Sequence, residues 1–442
     1  MRAPTRTAAT ALVFVFAALA LPAALGTPTA LAAFDDLNAP RTDRSAPPPA
    51  PVAHDPDRPT AVVVVGDRGA VVSDTLAPYE VLATTGAFNV YAVAPTAGPK
   101  PLTGGLDLVP DLTFAGLADL LGAQPPDVVV VPAMPDVGEP TSKPVEDWLA
   151  RQAAAGALVL GVCNGSGVLA SAGLLDGRDA TAHWLRVDSF EEEHPEVRWV
   201  RGTRYVDDGE VVTTAGILSG VDGTLRVVER LVGPEAARRA AEDTGWRHYH
   251  RGTAAALAQA RLRPADAVVG FNTAFGWDRD TAGVLLSDGV GEIELASVFD
   301  TYGQSLAVRT LSVAPGVGPV RSRHGLTFVP RADPVAAAGG LDRLVVPGAQ
   351  AARQRVADPF ADLAPVYVHA EPGFPFDGVL RDLARTTDVA TATWTARVLE
   401  YPTDHLALDG PAWPWTRSLR PLGLALLGVL AATALVRRLR AA

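Results

Sequence analysis

The chain carries one cysteine, and its neighbours suit a nucleophile. Leu158-Val159-Leu160-Gly161-Val162 is a continuous apolar run, and a helical pattern starts at Gly165-Ser166-Gly167, with Cys163 and Asn164 between the two. A buried strand, a sharp turn and a helix in that order make a nucleophile elbow, whose small neighbours permit a strained backbone that holds the reactive side chain clear. The N–H groups and positive dipole end of the helix favour thiolate over thiol. The Asn164 N–H is placed to face a developing oxyanion. The competing reading is an ordinary buried cysteine, a common core residue. Asn164-Gly165-Ser166 also fits a glycosylation sequon, which a buried elbow makes accidental.

Three other side chains belong in the same argument. His183 closes the segment Gly177-Arg178-Asp179-Ala180-Thr181-Ala182-His183, where a neighbouring strand would return it over Cys163 as base or orienter. Asp74 and Glu80 follow the first strand. Loops at the carboxyl ends of parallel strands converge on one crevice, which brings both carboxylates toward the elbow. Glu80 is the residue expected to share a proton with Cys163, and Asp74 is expected as a cap or a support.

The elements that must position these residues are legible as texture. Ala61–Val65, Phe88–Ala94, Asp127–Val131, Leu158–Val162 and Glu210–Thr214 are apolar strand-like runs. Helical patterns at Pro78–Thr85, Phe114–Leu121, Pro144–Ala155, Ser166–Ala172 and Gly223–Leu231 separate most of them. Continuous apolar strands alternating with helices mean a parallel sheet covered on both faces. The unit over 60–233 is therefore expected to be a doubly wound α/β domain.

The chain is long enough, at 442 residues, for two to three domains. Its net charge of −11 argues against a nucleic-acid partner, which usually needs a basic face. A single cysteine excludes an intramolecular disulfide and a thiolate-rich metal cluster. Arg2, Arg6 and the apolar run Ala8–Leu25, ending near Ala30-Leu31-Ala32, predict a signal peptide over 1–32. Seven prolines lie in the stretch 39–59, so 33–59 reads as a semi-rigid spacer. Residues 418–436 predict one transmembrane helix, with Arg417 and Arg420 on one flank able to snorkel to the headgroups. Arg437, Arg438 and Arg440 lie on the other side, in a short cytoplasmic tail, 437–442. The expected topology is single-pass, with the bulk of the chain extracytoplasmic.

There is an internal repeat. Ala94-Pro95 and Gly98-Pro99 recur as Ala314-Pro315 and Gly318-Pro319, and Leu106-Asp107-Leu108-Val109-Pro110 as Leu326-Thr327-Phe328-Val329-Pro330, both at an offset of 220. At that offset Glu80 falls on Asp300 and Asp74 on Glu294. Residues 265–410 are thus expected to form a diverged second copy. A helical linker over 234–264, with helices at Ala236–Asp243 and Ala254–Leu262, would bridge the copies. The whole is expected to be α/β: two tandem flavodoxin-like doubly wound parallel-sheet sandwiches, packed as an intrachain pseudo-dimer, plus the C-terminal helix.

The first unit resembles the ThiJ/PfpI family, within the class I glutamine amidotransferase-like superfamily. It is closest to the amidotransferase-like domain of AraC-type regulators, without their DNA-binding module. The resemblance rests on Asp74…Pro78-Tyr79-Glu80-Val81, Gly161-Val162-Cys163-Asn164-Gly165, Ala172-Gly173-Leu174-Leu175-Asp176-Gly177-Arg178, Ala180-Thr181-Ala182-His183-Trp184, Val206-Asp207-Asp208-Gly209 and Thr214-Ala215-Gly216. It implies Cys163 as reactive thiol, Glu80 as carboxylate partner and His183 nearby. It also implies a second oxyanion donor at Ala133, in Pro132-Ala133-Met134, where the family usually has Pro-Gly-Gly. Because such a family hosts several chemistries, the resemblance does not fix a reaction. The two expectations are a cysteine-dependent hydrolase, hydratase or lyase acting on a small electrophile, and a non-catalytic ligand- or redox-sensing module. The second copy is expected to lack the thiol, with Trp394 near the cysteine position. No metal site and no cofactor is expected: Trp246-Arg247-His248-Tyr249-His250 and His369-Ala370-Glu371 lack a third ligand, His324 has no partner in sequence, and P-loop and dinucleotide fingerprints are absent.

Overall fold

The computed structural model describes residues 3–41, 52–122, 124–314, 316, 318–333, 337–356 and 363–441. Residues 42–51 of the proline-rich stretch, and two positions of the repeat, 315 and 317, lie outside the described residues.

The apolar runs of the first unit become a seven-stranded sheet. Its order is Tyr205–Asp207, Val211–Thr214, Leu158–Gly161, Val128–Val131, Thr60–Val64, Asn89–Ala94, Leu112–Thr113. Only the first pair is antiparallel. Every residue of Thr60–Val64, Val128–Val131 and Leu158–Gly161 is buried, as strands covered on both faces must be. The chain runs from Thr60–Val64 outward to Asn89–Ala94, then returns to build on the other side from Val128–Val131. That reversal puts the carboxyl ends of Thr60–Val64, Val128–Val131 and Leu158–Gly161 around one crevice. Asp74, Ala133 and Cys163 lie just beyond those three ends.

A second, four-stranded parallel sheet follows, ordered Arg309–Val313, Thr281–Leu285, Arg343–Val346, Pro365–Tyr367. A third sheet is antiparallel and joins the two regions: Val320–Arg321, Thr327–Val329, Leu106–Val109 and Lys100–Leu102. In it Phe328 pairs with Leu108, its counterpart at the 220-residue offset, and Thr327 pairs with Val109. Arg331 binds Asp107 at 2.6 Å, both buried, and fastens the same seam. Helices Val72–Thr84 and Glu292–Ser305 pack against each other, and one apolar core runs through both regions.

One expectation changes between the sheets. Pro234–Asp243 is helical, but residues 254–262 form no helix. They run extended beside 202–204, where Arg204 N–H donates to Ala255 O at 3.1 Å and Leu257 N–H to Gly202 O at 3.0 Å, so the backbone donors are satisfied by that edge instead of internally. The helices here lie at Pro264–Asp266 and Ala267–Phe275.

The two ends of the chain are helices Ala3–Leu37 and Trp415–Ala441, each with a stretch long and apolar enough to cross a membrane. They pack side by side, and at Gly428 a Cβ would stand 2.0 Å from Ala17 O, so only glycine admits that approach. The first helix continues through 30–32. Arg420 does not reach outward: it pairs with Asp278 at 2.8 Å, and Arg417 donates to Asn272 Oδ1 at 2.9 Å. These arginines dock the C-terminal helix on the second region.

Candidate functional site

Cys163 has φ +57, one of four described non-glycine residues in the left-handed region. The turn holds it there: Gly165 N–H donates to Val162 O at 2.8 Å, and Cys163 N–H to Thr214 Oγ1 at 3.1 Å. Gly165 is required by contact, since a Cβ there would lie 2.0 Å from Val131 O on the neighbouring strand. The helix Gly165–Ser171 follows, and Ser166 Oγ ties it to Thr181 O at 2.8 Å. The elbow inferred from the glycine spacing is therefore the local geometry.

The surroundings of the sulfur differ from the expectation. Cys163 is 3% exposed. Burial is the largest influence on its thiol, the Asp74 carboxylate the next, and both push its pKa well above the ordinary value. The Asn164 N–H faces the sulfur and opposes them, while Glu400 and Asp300 add to the rise. Burial and three acids outweigh the one backbone N–H at the sulfur, so the short helix does not secure a thiolate.

Asp74, expected as a cap, is the carboxylate beside the thiol. It sits fully buried in the first turn of Val72–Thr84. Its Oδ2 accepts the Ala133 N–H at 3.0 Å. Its Oδ1 has no hydrogen-bond partner among the described residues, and the Cys163 thiol lies close enough to the carboxyl to favour its charged form. Burial and then the Asp300 charge push the Asp74 carboxyl well up, against the pull of the Ala133 N–H and the thiol. Thiol and carboxyl are thus two weak acids side by side, suited to exchanging one proton. The Ala133 N–H, expected to receive an oxyanion, holds the carboxylate instead.

Glu80 points elsewhere. Its Oε2 accepts the Ile293 N–H at 2.5 Å, and its Oε1 pairs with Arg323 at 3.1 Å. It lies on the seam with Glu292–Ser305, and no described hydrogen bond joins it to Cys163. His183 is also occupied: Nε2 lies 2.8 Å from Val398 O and Nδ1 accepts the Leu185 N–H at 3.2 Å. Nε2 therefore carries the proton. Burial lowers its pKa to about 4, so the ring is neutral and spends both nitrogens on backbone. The turn Thr181-Ala182-His183 positions the elbow helix more directly than it serves the sulfur.

Among the described residues, Glu80, Glu292 and His324 bring three ligand-type atoms within 4.8 Å of one another. Their valences are already used: Arg323 bridges Glu80 and Glu294, and His324 Nδ1 faces Glu292 at 2.8 Å. The cluster fits an internal ion-pair network better than a cation.

Pro365–Tyr367 lies on Arg343–Val346 in the register in which Leu158–Gly161 lies on Val128–Val131: Val346 meets Tyr367 as Val131 meets Gly161. Two residues on stand His369 and Cys163. The position expected for Trp394 thus belongs to His369, because the strand Pro365–Tyr367 precedes the helix Pro375–Thr386. His369 Nδ1 accepts the Gly348 N–H at 2.8 Å, and Nε2 lies 3.1 Å from both Ser297 Oγ and Pro375 O. With Nδ1 accepting, Nε2 is a donor and cannot serve Ser297 as base.

Reasoning from sequence missed Thr214, Asp300, Ser219 and Glu400. Thr214 was visible inside Thr214-Ala215-Gly216, and Asp300 through the repeat offset. Glu400 had no local signal.

A cleft of about 110 Å³ opens beside the site and is lined by Ala133, Met134, Asn164, Arg68, Val71 and Thr103, among others. It admits only a small molecule.

The burial of acids gives a pH dependence of stability. Glu80, Asp111, Asp222 and Glu400 are pushed up to about 7 and Asp300 to about 6, burial being the first cause in each. A raised carboxyl pKa means the folded state binds a proton the unfolded state does not. Stability is then present at low pH and is lost as pH rises through the folded pKa. Buried His183 and His369, both lowered to about 4, oppose this below about pH 6.5. The melting temperature is expected to be higher at pH 6 than at pH 8, each such carboxyl contributing roughly 1 kcal/mol. A scanning melt across that range that falls on acidification would contradict the assignment.

The profile of the DJ-1/PfpI family matches residues 60–230. An isonitrile hydratase of Pseudomonas putida is 34% identical over 167 residues, 37% of this chain and 69% of the relative. The HTH-type transcriptional regulator CdhR of Pseudomonas aeruginosa is 38% identical over 95 residues, 22% of this chain and 28% of the regulator. Among solved structures, a ThiJ/PfpI family protein of Pseudomonas syringae aligns at 24% identity and TM-score 0.37, over 45% of this chain and 83% of that one. A DJ-1 superfamily protein of Salmonella typhimurium aligns at 23% identity and TM-score 0.36, over 44% and 99%.

Proposed function

The chain belongs to the DJ-1/PfpI family, and from that premise we propose that it is a membrane-tethered, extracytoplasmic enzyme whose Cys163 adds to the electrophilic carbon of a small uncharged substrate of the isonitrile, nitrile or aldehyde class. The observation that carries this reading is the Cys163–Asp74 pair at a strained elbow. As the sulfur–carbon bond forms, the thiol proton passes to Asp74. Asp74 then returns it to the substrate atom that has gained the electron pair. With an isonitrile or nitrile the adduct is an unsaturated thioimidate: a water adds to its carbon, the carbon–sulfur bond breaks with the pair leaving on sulfur, and the thiolate regains a proton; an aldehyde stops at the saturated hemithioacetal. The net reaction is hydration, with no change in oxidation state. While Asp74 holds the proton it is neutral, its grip on the Ala133 N–H weakens, and that donor becomes free for the developing negative charge. The cleft of about 110 Å³ favours a substrate of a few heavy atoms.

In this reading, residues 265–410 are a diverged copy that replaces a second subunit. The strand orders agree, and Glu294 accepts the Ala349 N–H much as Asp74 accepts the Ala133 N–H. Tethering is supported by the apolar C-terminal helix and by the arginines beyond it, the N-terminal helix acting as export signal. A non-catalytic ligand- or redox-sensing module is favoured by one observation, the Ala133 N–H already spent on Asp74.

The deciding experiment supplies the detergent-solubilised chain with a small alkyl isonitrile, acrylonitrile and methylglyoxal. Consumption of one of them, lost in Cys163→Ala, is expected. Absence of consumption, or equal consumption by the variant, overturns the enzyme reading.

A further inference from the structure

The wall of the cysteine site is not made by residues 60–230 alone. The end of the helix Val389–Val398 and the three residues after it lie across the elbow. Arg397 O accepts the Trp184 indole N–H at 3.2 Å, Val398 O the His183 ring at 2.8 Å, and Leu399 O the Leu218 N–H at 3.1 Å. Val398 O and Leu399 O bond outward because the helix ends there, while Arg397 O also takes the Glu400 N–H at 3.2 Å, which closes the last turn. Arg397 is itself anchored by Asp266.

Glu400 comes next, at φ +53, a strained value for a glutamate. The strain turns its carboxyl inward. Its Oε2 accepts Ser219 Oγ at 2.6 Å, and it also takes the Gly216 N–H. A Cβ on Gly216 would stand 2.3 Å from Glu400 Cδ, so glycine at 216 makes the space the carboxyl fills. Gly216 is two residues from Thr214, whose hydroxyl holds the Cys163 N–H, and a Cβ at Gly220 would stand 2.6 Å from Val162 Cγ1. The loop 215–219, which lies beside the elbow, is thus pinned by a carboxylate from the far end of the chain.

We infer that Glu400, delivered by the strap Arg397–Glu400, is a positioning residue for Cys163 that completes the thiol site in cis and sets the charge its sulfur meets. Asp300 contributes from Glu292–Ser305 by the same route. The groups facing Glu400 are Ser219, the Gly216 N–H, Arg204 and Asp222, and its negative charge reaches both Cys163 and Asp74. Arg204 is shared with Asp222 at 3.5 Å and does not cancel Glu400 alone. The second region is on this account part of the active centre. The inference deepens the proposed thiol chemistry, but its test needs no turnover.

Cys163 is the sole cysteine, so alkylation of the detergent-solubilised full chain with iodoacetamide reads this sulfur alone. Glu400→Gln keeps the shape and removes the charge. The expected result is a fall of about one pH unit in the midpoint of the rate–pH curve, with a rate near neutrality up by about tenfold. Glu400→Asp, which keeps the charge, should stay nearer to wild type. A merely structural strap would change the rate equally at all pH and leave the midpoint where it was; superimposable midpoints overturn the inference. Should Glu400→Gln fail to fold, Gly216→Ala, whose Cβ would stand 2.3 Å from Glu400 Cδ and so displace the carboxyl, is expected to shift the midpoint in the same direction, and no shift there is equally fatal. A wild-type chain that is inert to the small electrophiles but shows the Glu400 shift would sink the hydration reading and leave this one standing.

Discussion

Asp74→Asn is expected to lower turnover on a small electrophile by about 10²–10⁴-fold, the range supplied by one placed proton-transfer group. Asparagine can still accept the Ala133 N–H through its amide oxygen, so the loop after Val128–Val131 keeps its anchor. What disappears is a group that can take the thiol proton. The melting temperature of this variant should equal or exceed that of wild type, because a buried carboxyl disfavoured by burial and by Asp300 is replaced by a neutral amide. Steady-state rates together with a thermal melt check both halves. Retained turnover, or loss of turnover that merely tracks loss of folding, would remove Asp74 from the chemistry.

The second large effect is on stability. Gly165→Ala places a methyl 2.0 Å from Val131 O, 2.9 Å from Val131 C and 3.0 Å from Pro132 C. All three are backbone atoms at the end of a central buried strand and of the residue after it, and cannot step aside as a side-chain tip would. A cost of about 3 kcal/mol or more is expected, at the upper end for overpacking because the clash is with backbone. Urea denaturation of the solubilised chain measures it; a change below about 1 kcal/mol would mean that the elbow helix moves freely against the sheet. The control is Gly173→Ala, at a helix end where a Cβ meets nothing within 4 Å but φ is +74, so only the smaller backbone penalty applies.

The parallel core was legible because its signal is local. Ala61–Val65, Asp127–Val131 and Leu158–Val162 are apolar on both faces, and only a sheet covered on both sides accepts that. The elbow was legible for the same reason, since small residues on either side of Cys163 have no other use in so short a span. The partner carboxylate was not. Asp74 and Glu80 lie six residues apart on one helix, nearly two turns, and which one turns to the sulfur depends on what packs on the other. The helix Glu292–Ser305 claims Glu80 through the Ile293 N–H and Arg323, and leaves Asp74 to the crevice. The helix end at 165 was read as a promoter of thiolate, but burial and the nearby acids from 74, 300 and 400 outweigh one short helix. His183 was expected to return over Cys163, but Val398 O fixes its ring nitrogen, and that acceptor arrives from 215 residues away. His369 displaced Trp394 because the strand Pro365–Tyr367 is only three residues long and has too little apolar pattern to be recognised. Long-range carbonyls and carboxylates leave no periodicity behind them.

A spectroscopic titration of the lone thiol in wild type and Asp74→Asn bears most directly on the shared proton. Thiolate absorbance near 240 nm should be missing in wild type at neutral pH and emerge only in alkaline solution, above the ordinary value of about 8.5, and should emerge at least roughly one unit earlier in the variant. Thiolate already formed in wild type at pH 7, or identical curves for the two proteins, would contradict the account.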